Sequence, residues 1–176
     1  MSSLLAGPID LFHAGEPFTT SCYLINTAAG LALFDCGPSS CFPALERGLA
    51  EHGVSCADIR HVLLSHIHLD HAGAAGLVVR ENPDVRVHVS EIGAPHVVDP
   101  SRLEASARRL YGGLFDELWG TIVPVPAANV HVAGDRVLDL DCFPTPGHAI
   151  HHVSYLDSEG TLYSGDVAGV RLPGAS

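Results

Sequence analysis

An α/β fold in one domain spanning residues 1–176 is the architecture this sequence predicts, and three observations predict it. Runs with strand patterning open and close the chain, and a β-α-β alternation occupies its middle. Apolar residues make up 47% against 16% charged, the balance of a compact chain with large buried elements. At 176 residues it is near the usual domain length of about 150 and long enough to bury a core.

The elements follow in order. PIDLFHA (8–14), TSCYLINT (20–27) and LALFDCG (31–37) read as short strands punctuated by Gly and Pro. The amphipathic SSCFPALERGLAEHG predicts a helix from about Ser40 to His52. HVLLSH (61–66) is a continuous apolar run suited to a buried strand, and its carboxyl end is where open α/β sheets place their sites. AGAAGLVVREN (72–82) is small, apolar and helix-compatible up to Pro83, and VRVHVS (85–90) alternates as a strand. From Glu91 to Trp119 the pattern turns helical and less regular. Pro95 and Pro100 act as breakers there, and SRLEASARRLYGG carries a Ser cap and a Gly stop. This region is expected to cover a substrate. TIVPVP (121–126), RVLDLDCFPTPG (136–147), HHVSYLD (151–157) and TLYSGDV (161–167) return to short strands.

Charge narrows the partners. All 9 basic residues are Arg, and 20 acidic residues bring the formal charge to -11. Such a surface repels phosphate backbones, so a nucleic-acid partner is not expected. Arg102, Arg108 and Arg109 form the one basic cluster, read as a solvated helix face with anion binding as the weaker alternative. The five cysteines include no CxxC pair, and MSSLLAGPID has neither a basic start nor a long apolar run, so a cytoplasmic location is expected. No apolar run approaches the roughly 20 residues of a membrane helix. Association with further copies of the chain stays open.

HVLLSHIHLDHAG puts four metal-ligating side chains, His66, His68, Asp70 and His71, into six positions. In extended backbone, residues two apart face the same way, so His66 and His68 can address one ion. Asp70 and His71 follow where the chain turns, and can address a second point. Imidazole and carboxylate suit Zn(II), and iron or manganese accept the same set. A catalytic ion needs a further ligand, which TPGHAIHH, with His148, and YSGDVAG, with Asp166, can supply.

These residues resemble the motif set of the metallo-β-lactamase superfamily: HxHxDH at His66, His68, Asp70 and His71, TPGH at His148, and SGD at Asp166. LFDCG, with Asp35, resembles its early Asp-Gly motif, and the resemblance spans roughly residues 19–170 in the right order. It implies a four-layer αββα sandwich with metals at one edge, between the two sheets. It also implies that His66, His68 and His148 hold the first metal, Asp70 and His71 the second, and that Asp166 bridges them. Asp35 and His152 would support the ligands through hydrogen bonds. The family normally gives the second metal one more histidine on a C-terminal strand, and nothing after Asp166 offers one. A fragment of a longer protein, a contribution from another chain and a mononuclear site are the three explanations, the first being the expectation. The C-terminal portion of the sandwich is accordingly expected to be missing.

The implied function is a metal-dependent hydrolase acting on an ester, thioester or lactone carbonyl of a small molecule. One or two Zn(II) ions would supply hydroxide at neutral pH, and Asp70 would manage the proton. The motifs look more like the glyoxalase II and lactonase-like branches than like antibiotic-hydrolysing enzymes. The alternatives are a mononuclear iron enzyme resembling persulfide dioxygenases, on His66, His148 and Asp166, and a metal-binding module without catalysis. Tyr111, Arg108 and Arg109 are weaker candidates for substrate contact, Tyr111 being more a packing residue than a donor. His13, His52, His61, His88, His96 and His131 lack ligand spacing and read as structural or exposed, and the cysteines as core residues.

Overall fold

The computed structural model describes residues 3–5 and 7–168. Two β-sheets form the middle of the molecule. The larger contains β1 (Ser3–Leu4), β2 (Ile9–Asp10), β3 (Ser21–Thr27), β4 (Gly30–Phe34), β5 (Ile59–Leu63), β6 (Arg86–Val89) and β7 (Val130–Val132). Its order is β1-β3-β4-β5-β6-β7, with β2 pairing further along β3. β3 and β4 form an antiparallel hairpin, whereas β4 to β7 run parallel. The smaller sheet is antiparallel in the order β11-β10-β9-β8, from β8 (Arg136–Val137), β9 (Leu140–Pro144), β10 (Val153–Leu156) and β11 (Leu162–Tyr163). Helices α1 (Phe42–Glu51), α2 (Leu69–Ala72), α3 (Ala75–Glu81), α4 (Ala94–Val98), α5 (Ser101–Tyr111) and α6 (Phe115–Trp119) complete the described α-helices.

Alternation along the strands divides the core in two. Leu24, Leu33, Val62 and Val87 face one way and pack on Leu45 and Leu49 of α1 and Val78 of α3. Ile25, Phe34 and Leu63 face the other way and meet Leu140, Val153 and Tyr155 of the small sheet. A fully buried Leu of this kind contributes about 1.5–3 kcal/mol, so either interface alone is a substantial part of the fold's stability. The described residues thus supply three layers, in the order helix, sheet, sheet.

Local chemistry accounts for where the elements depart from the sequence reading. The run 121–126 forms no strand; Pro124 and Pro126 lack the N–H a ladder needs, and the seventh strand of the sheet falls instead at Val130–Val132. In 8–14 only Ile9 and Asp10 pair, because Phe12 and Ala14 adopt positive φ of 50° and 56°. α1 begins at Phe42, with Ser39–Cys41 in a preceding 3-10 turn. The helix expected over 72–82 is α3, shortened to Ala75–Glu81, with α2 ahead of it and Gly73 and Ala74 between them.

Four hydrogen bonds place the site. β5 ends at Leu63, and residues 64–68 continue across the sheet edge toward α2. The small sheet grips this passage: Val153 N–H donates to the Ser65 carbonyl at 2.8 Å, and the buried Tyr155 hydroxyl to the Leu64 carbonyl at 3.1 Å. On the other side, the N–H groups of Cys36 and Gly37 both donate to the His71 carbonyl, at 2.8 and 3.1 Å.

Candidate metal centre

His66 leaves the end of β5 fully buried, while His68 stands at the N-terminus of α2 and His148 on the loop between β9 and β10. Their nitrogens converge. His66 Nε2 and His148 Nε2 lie 3.0 and 2.9 Å from His68 Nδ1, and ligand atoms of the three fall within 4.8 Å of one another. Burial, reinforced by the neighbouring imidazoles, drives the His66 pKa far below the ordinary histidine value, and burial followed by His148 lowers that of His68. Both rings are therefore neutral and carry the lone pairs that a metal requires.

A second group adjoins the first. His71 Nε2 lies 3.2 Å from Asp166 Oδ1 and 3.4 Å from Asp70 Oδ2, and Asp166 Oδ2 lies 3.4 Å from His148 Nε2. Asp166 thus presents one oxygen to each group. The compact triad here is His66, His71 and Asp166, whose ligand atoms also fall within 4.8 Å; Asp70, with its side chain 38% exposed, stands outside that triad. Burial disfavours a charged His71, but Asp35, Asp166 and Asp70 together outweigh it and raise its pKa to about 12. One cationic imidazole thus stands among carboxylates and neutral imidazoles.

Outer contacts hold these rings in place. Buried Asp35 accepts the His71 Nδ1 proton at Oδ2 over 2.8 Å, and from Ser65 both the backbone N–H and the hydroxyl, each at 2.8 Å. His152 Nε2 accepts the backbone N–H of Asp166 at 3.1 Å. Its proton therefore sits on Nδ1, which donates to Thr145 Oγ1 at 2.7 Å; that hydroxyl donates to Ser154 Oγ at 3.0 Å, which ends on the Ser164 carbonyl at 3.2 Å. Every direction in this chain is fixed by the one group that can only donate. Gly165 fits beneath it at φ +53°, where a Cβ would come within 2.6 Å of both His152 Nε2 and Ser65 Cβ.

The remaining sequence candidates sit elsewhere. Arg108 on α5 is held by Glu104 and Asp116, both at 2.9 Å, and lies 4.0 Å over the Phe115 ring. Tyr111 packs edge-on against Trp119, ring centroids 5.0 Å apart, and Arg109 is exposed on the same helix. A cleft of about 530 Å³ adjoins Asp70, His71 and Asp166, floored by Tyr23, Phe34 and Tyr163. Two residues of the site were not singled out from the sequence. Ser65 directly precedes the histidine run. His151 stacks 6.1 Å from His66, its Nδ1 is buried with no partner among the described residues, and burial and then His68 lower its pKa to about 4. A third histidine within the five residues 148–152 was the available signal for it.

Comparison with known proteins gives a consistent result. The family model described as "Metallo-beta-lactamase superfamily" matches residues 15–175. The uncharacterized protein YobT of Bacillus subtilis is 24% identical over 157 residues, covering 88% of this chain and 64% of its own length. "Thioesterase pkgB" of Emericella nidulans is 29% identical over 150 residues, covering 84% of this chain and 35% of that protein. Among solved structures, a metallo-beta-lactamase from Cronobacter sakazakii superposes with a TM-score of 0.61 at 23% identity, over 88% of this chain and 57% of its own. Native FEZ-1 metallo-beta-lactamase from Legionella gormanii gives 0.62 at 19% identity, over 88% and 56%. The chain thus spans between about a third and two thirds of the curated relatives it matches. At these identities the solved structures speak for the fold.

Proposed function

Because the chain belongs to the metallo-beta-lactamase superfamily, whose members are generally metal-dependent hydrolases, we propose that it hydrolyses a small-molecule ester, thioester or lactone with one or two divalent ions. One observation carries this reading: His66, His68 and His148 aim three ring nitrogens at one point, and Asp166 reaches from there to His71. His66, His68 and His148 would hold a first ion, and His71, Asp166 and Asp70 a second. An imidazole-rich set with carboxylates suits Zn(II), and iron or manganese fit the same donors.

A bound ion of this kind supplies Lewis acidity and, by lowering the pKa of water to about 7, a hydroxide nucleophile at neutral pH. The chain's own residues do the rest. Water adds to the carbonyl carbon, the C–O or C–S bond breaks, and an acid and an alcohol or thiol leave. Asp70, partly exposed where the cleft begins, would take the proton from the attacking water and return it to the leaving group. The cleft mixes these carboxylates with an aromatic floor, which suits a substrate with a polar reacting end and an apolar body. The thioesterase among the relatives supports the thioester member of this class. The five free, buried cysteines support a reducing compartment, and the charge of -11 a partner other than nucleic acid.

The test is metal content and turnover together, on protein reloaded with zinc, manganese or iron and offered a panel of esters, thioesters and lactones. His66→Ala and His148→Ala are expected to abolish turnover and first-site metal, and Asp70→Ala to lower the rate while leaving that metal bound. Unchanged metal in His66→Ala would refute the ligand assignment. One iron per chain, with oxygen uptake on a sulfur substrate and no ester turnover, would instead make this an oxidoreductase on the same ligands.

A further inference from the structure

Ser65 is wholly buried at the point where β5 runs into the first ligand, and the reaction proposed above gives it no task. Its contacts nonetheless form a closed logical chain. The backbone N–H and the hydroxyl both reach Asp35, at Oδ1 and Oδ2, each over 2.8 Å, while the hydroxyl oxygen also lies 3.0 Å from His66 Nδ1. As a carboxylate, Asp35 can only accept, so the single hydroxyl proton of Ser65 points toward it. The oxygen then has only acceptor capacity left for His66, and His66 must carry its proton on Nδ1. That leaves Nε2 bare, and Nε2 is the atom 3.0 Å from His68 Nδ1 in the cluster of three. The same Asp35 oxygen takes the Nδ1 proton of His71, whose Nε2 faces Asp70 and Asp166.

We infer that Ser65 is a positioning residue: it extends the reach of Asp35 to His66, so that one buried carboxylate orients one ligand in each of the two metal groups. The inference rests on reading His66 and His71 as ligands. The division of labour is unequal. Asp35 takes the His71 Nδ1 proton itself at 2.8 Å, with the Ser65 oxygen a longer 3.5 Å from that nitrogen, whereas it reaches His66 only through the Ser65 hydroxyl, so removing the hydroxyl falls harder on the first group than on the second. Asp35 itself sits at φ 54°, a left-handed conformation that a non-glycine residue holds only where its surroundings fix it, and its three accepted hydrogen bonds are those surroundings.

Competition of metal-free protein against a chromogenic chelator, titrated with Zn(II), measures the two affinities. Ser65→Ala is expected to weaken the first-site affinity by about 10- to 100-fold, the range for loss of an outer hydrogen-bond partner, with a clearly smaller loss at the second site. Asp35→Asn is expected to weaken both. Equal loss at both sites in Ser65→Ala, or none at either, would overturn the proposal. Long-range proton–nitrogen NMR of the zinc-loaded, unaltered chain tests the same point without a variant. A protonated Nδ1 on His66, protected from exchange, is expected, and a bare Nδ1 would sink the idea even if the alanine variant failed to fold. Loss of ligation itself is distinguishable, because His66→Ala would then leave metal content unaltered.

Discussion

His152 supports the candidate centre through its hydrogen bonds alone. Its Nε2 lone pair is used by the Asp166 N–H, so the ring serves the loop that carries Asp166. His152→Ala is therefore expected to weaken binding at the His71–Asp166 group by about 10- to 100-fold while the three-histidine group keeps its ion. Metal counting after dialysis checks this, and loss from the three-histidine group first would contradict it. At this scale the sequence showed the residues with recognisable spacing. His66, His68, Asp70, His71, His148 and Asp166 stand in ordered motifs, and the fold brings all six within contact of a neighbour in the set. Ser65 and His151 were not legible as site residues, because a serine or histidine has no periodic signature and its role depends on what the fold sets against it.

The parallel strands β5, β6 and β7 carry a second set of histidines with a different physical character. Val62 and Val87 take the helix side, so His61 and His88 are left on the opposite face, buried, with His61 Nδ1 3.1 Å from His88 Nε2. His131 lies beside His88 on β7, ring centroids 5.5 Å apart. Burial first, then His61, His131 and Arg86, holds the His88 pKa down to about 3, and burial also lowers that of His61. A neutral folded histidine and an unfolded one of pKa about 6.5 mean that the unfolded chain binds the extra proton below that value. Stability is thus complete above about pH 6.5 and falls as the pH drops toward 3, with His88 alone removing about 2 kcal/mol at pH 5. Urea midpoints of metal-free protein at pH 7.5 and 5.0 are expected to differ less in His88→Gln than in the unaltered chain. An identical difference would mean that His88 takes no part. The element-scale reading from sequence failed where two signals competed. The run 121–126 reads as a short strand, but Pro124 and Pro126 deny it a ladder, and the three-residue β7 is too short for its pattern to stand out.

Across the molecule, the five cysteines share one fate: all are free and buried, and burial raises the pKa of every thiol. Labelling with a thiol reagent at pH 8 is expected to be slow in the folded protein and to reach five groups per chain only after unfolding; rapid reaction of any one would show that its cover opens. Among the described residues no helix is long and apolar enough to cross a membrane. The alternation of apolar residues determined that β-strands would bury two faces, and the order of HxHxDH, TPGH and SGD determined which residues would meet at the carboxyl end of β5. Such patterns are local or strictly ordered, and a chain carries them openly. Only the tertiary structure decided which nitrogen of each histidine faces the centre, that His152 serves the Asp166 loop, and that Asp35 reaches His66 through Ser65. Those facts depend on hydrogen-bond partners as far as 80 residues apart in the chain, whose direction is set only when the two sheets close on each other.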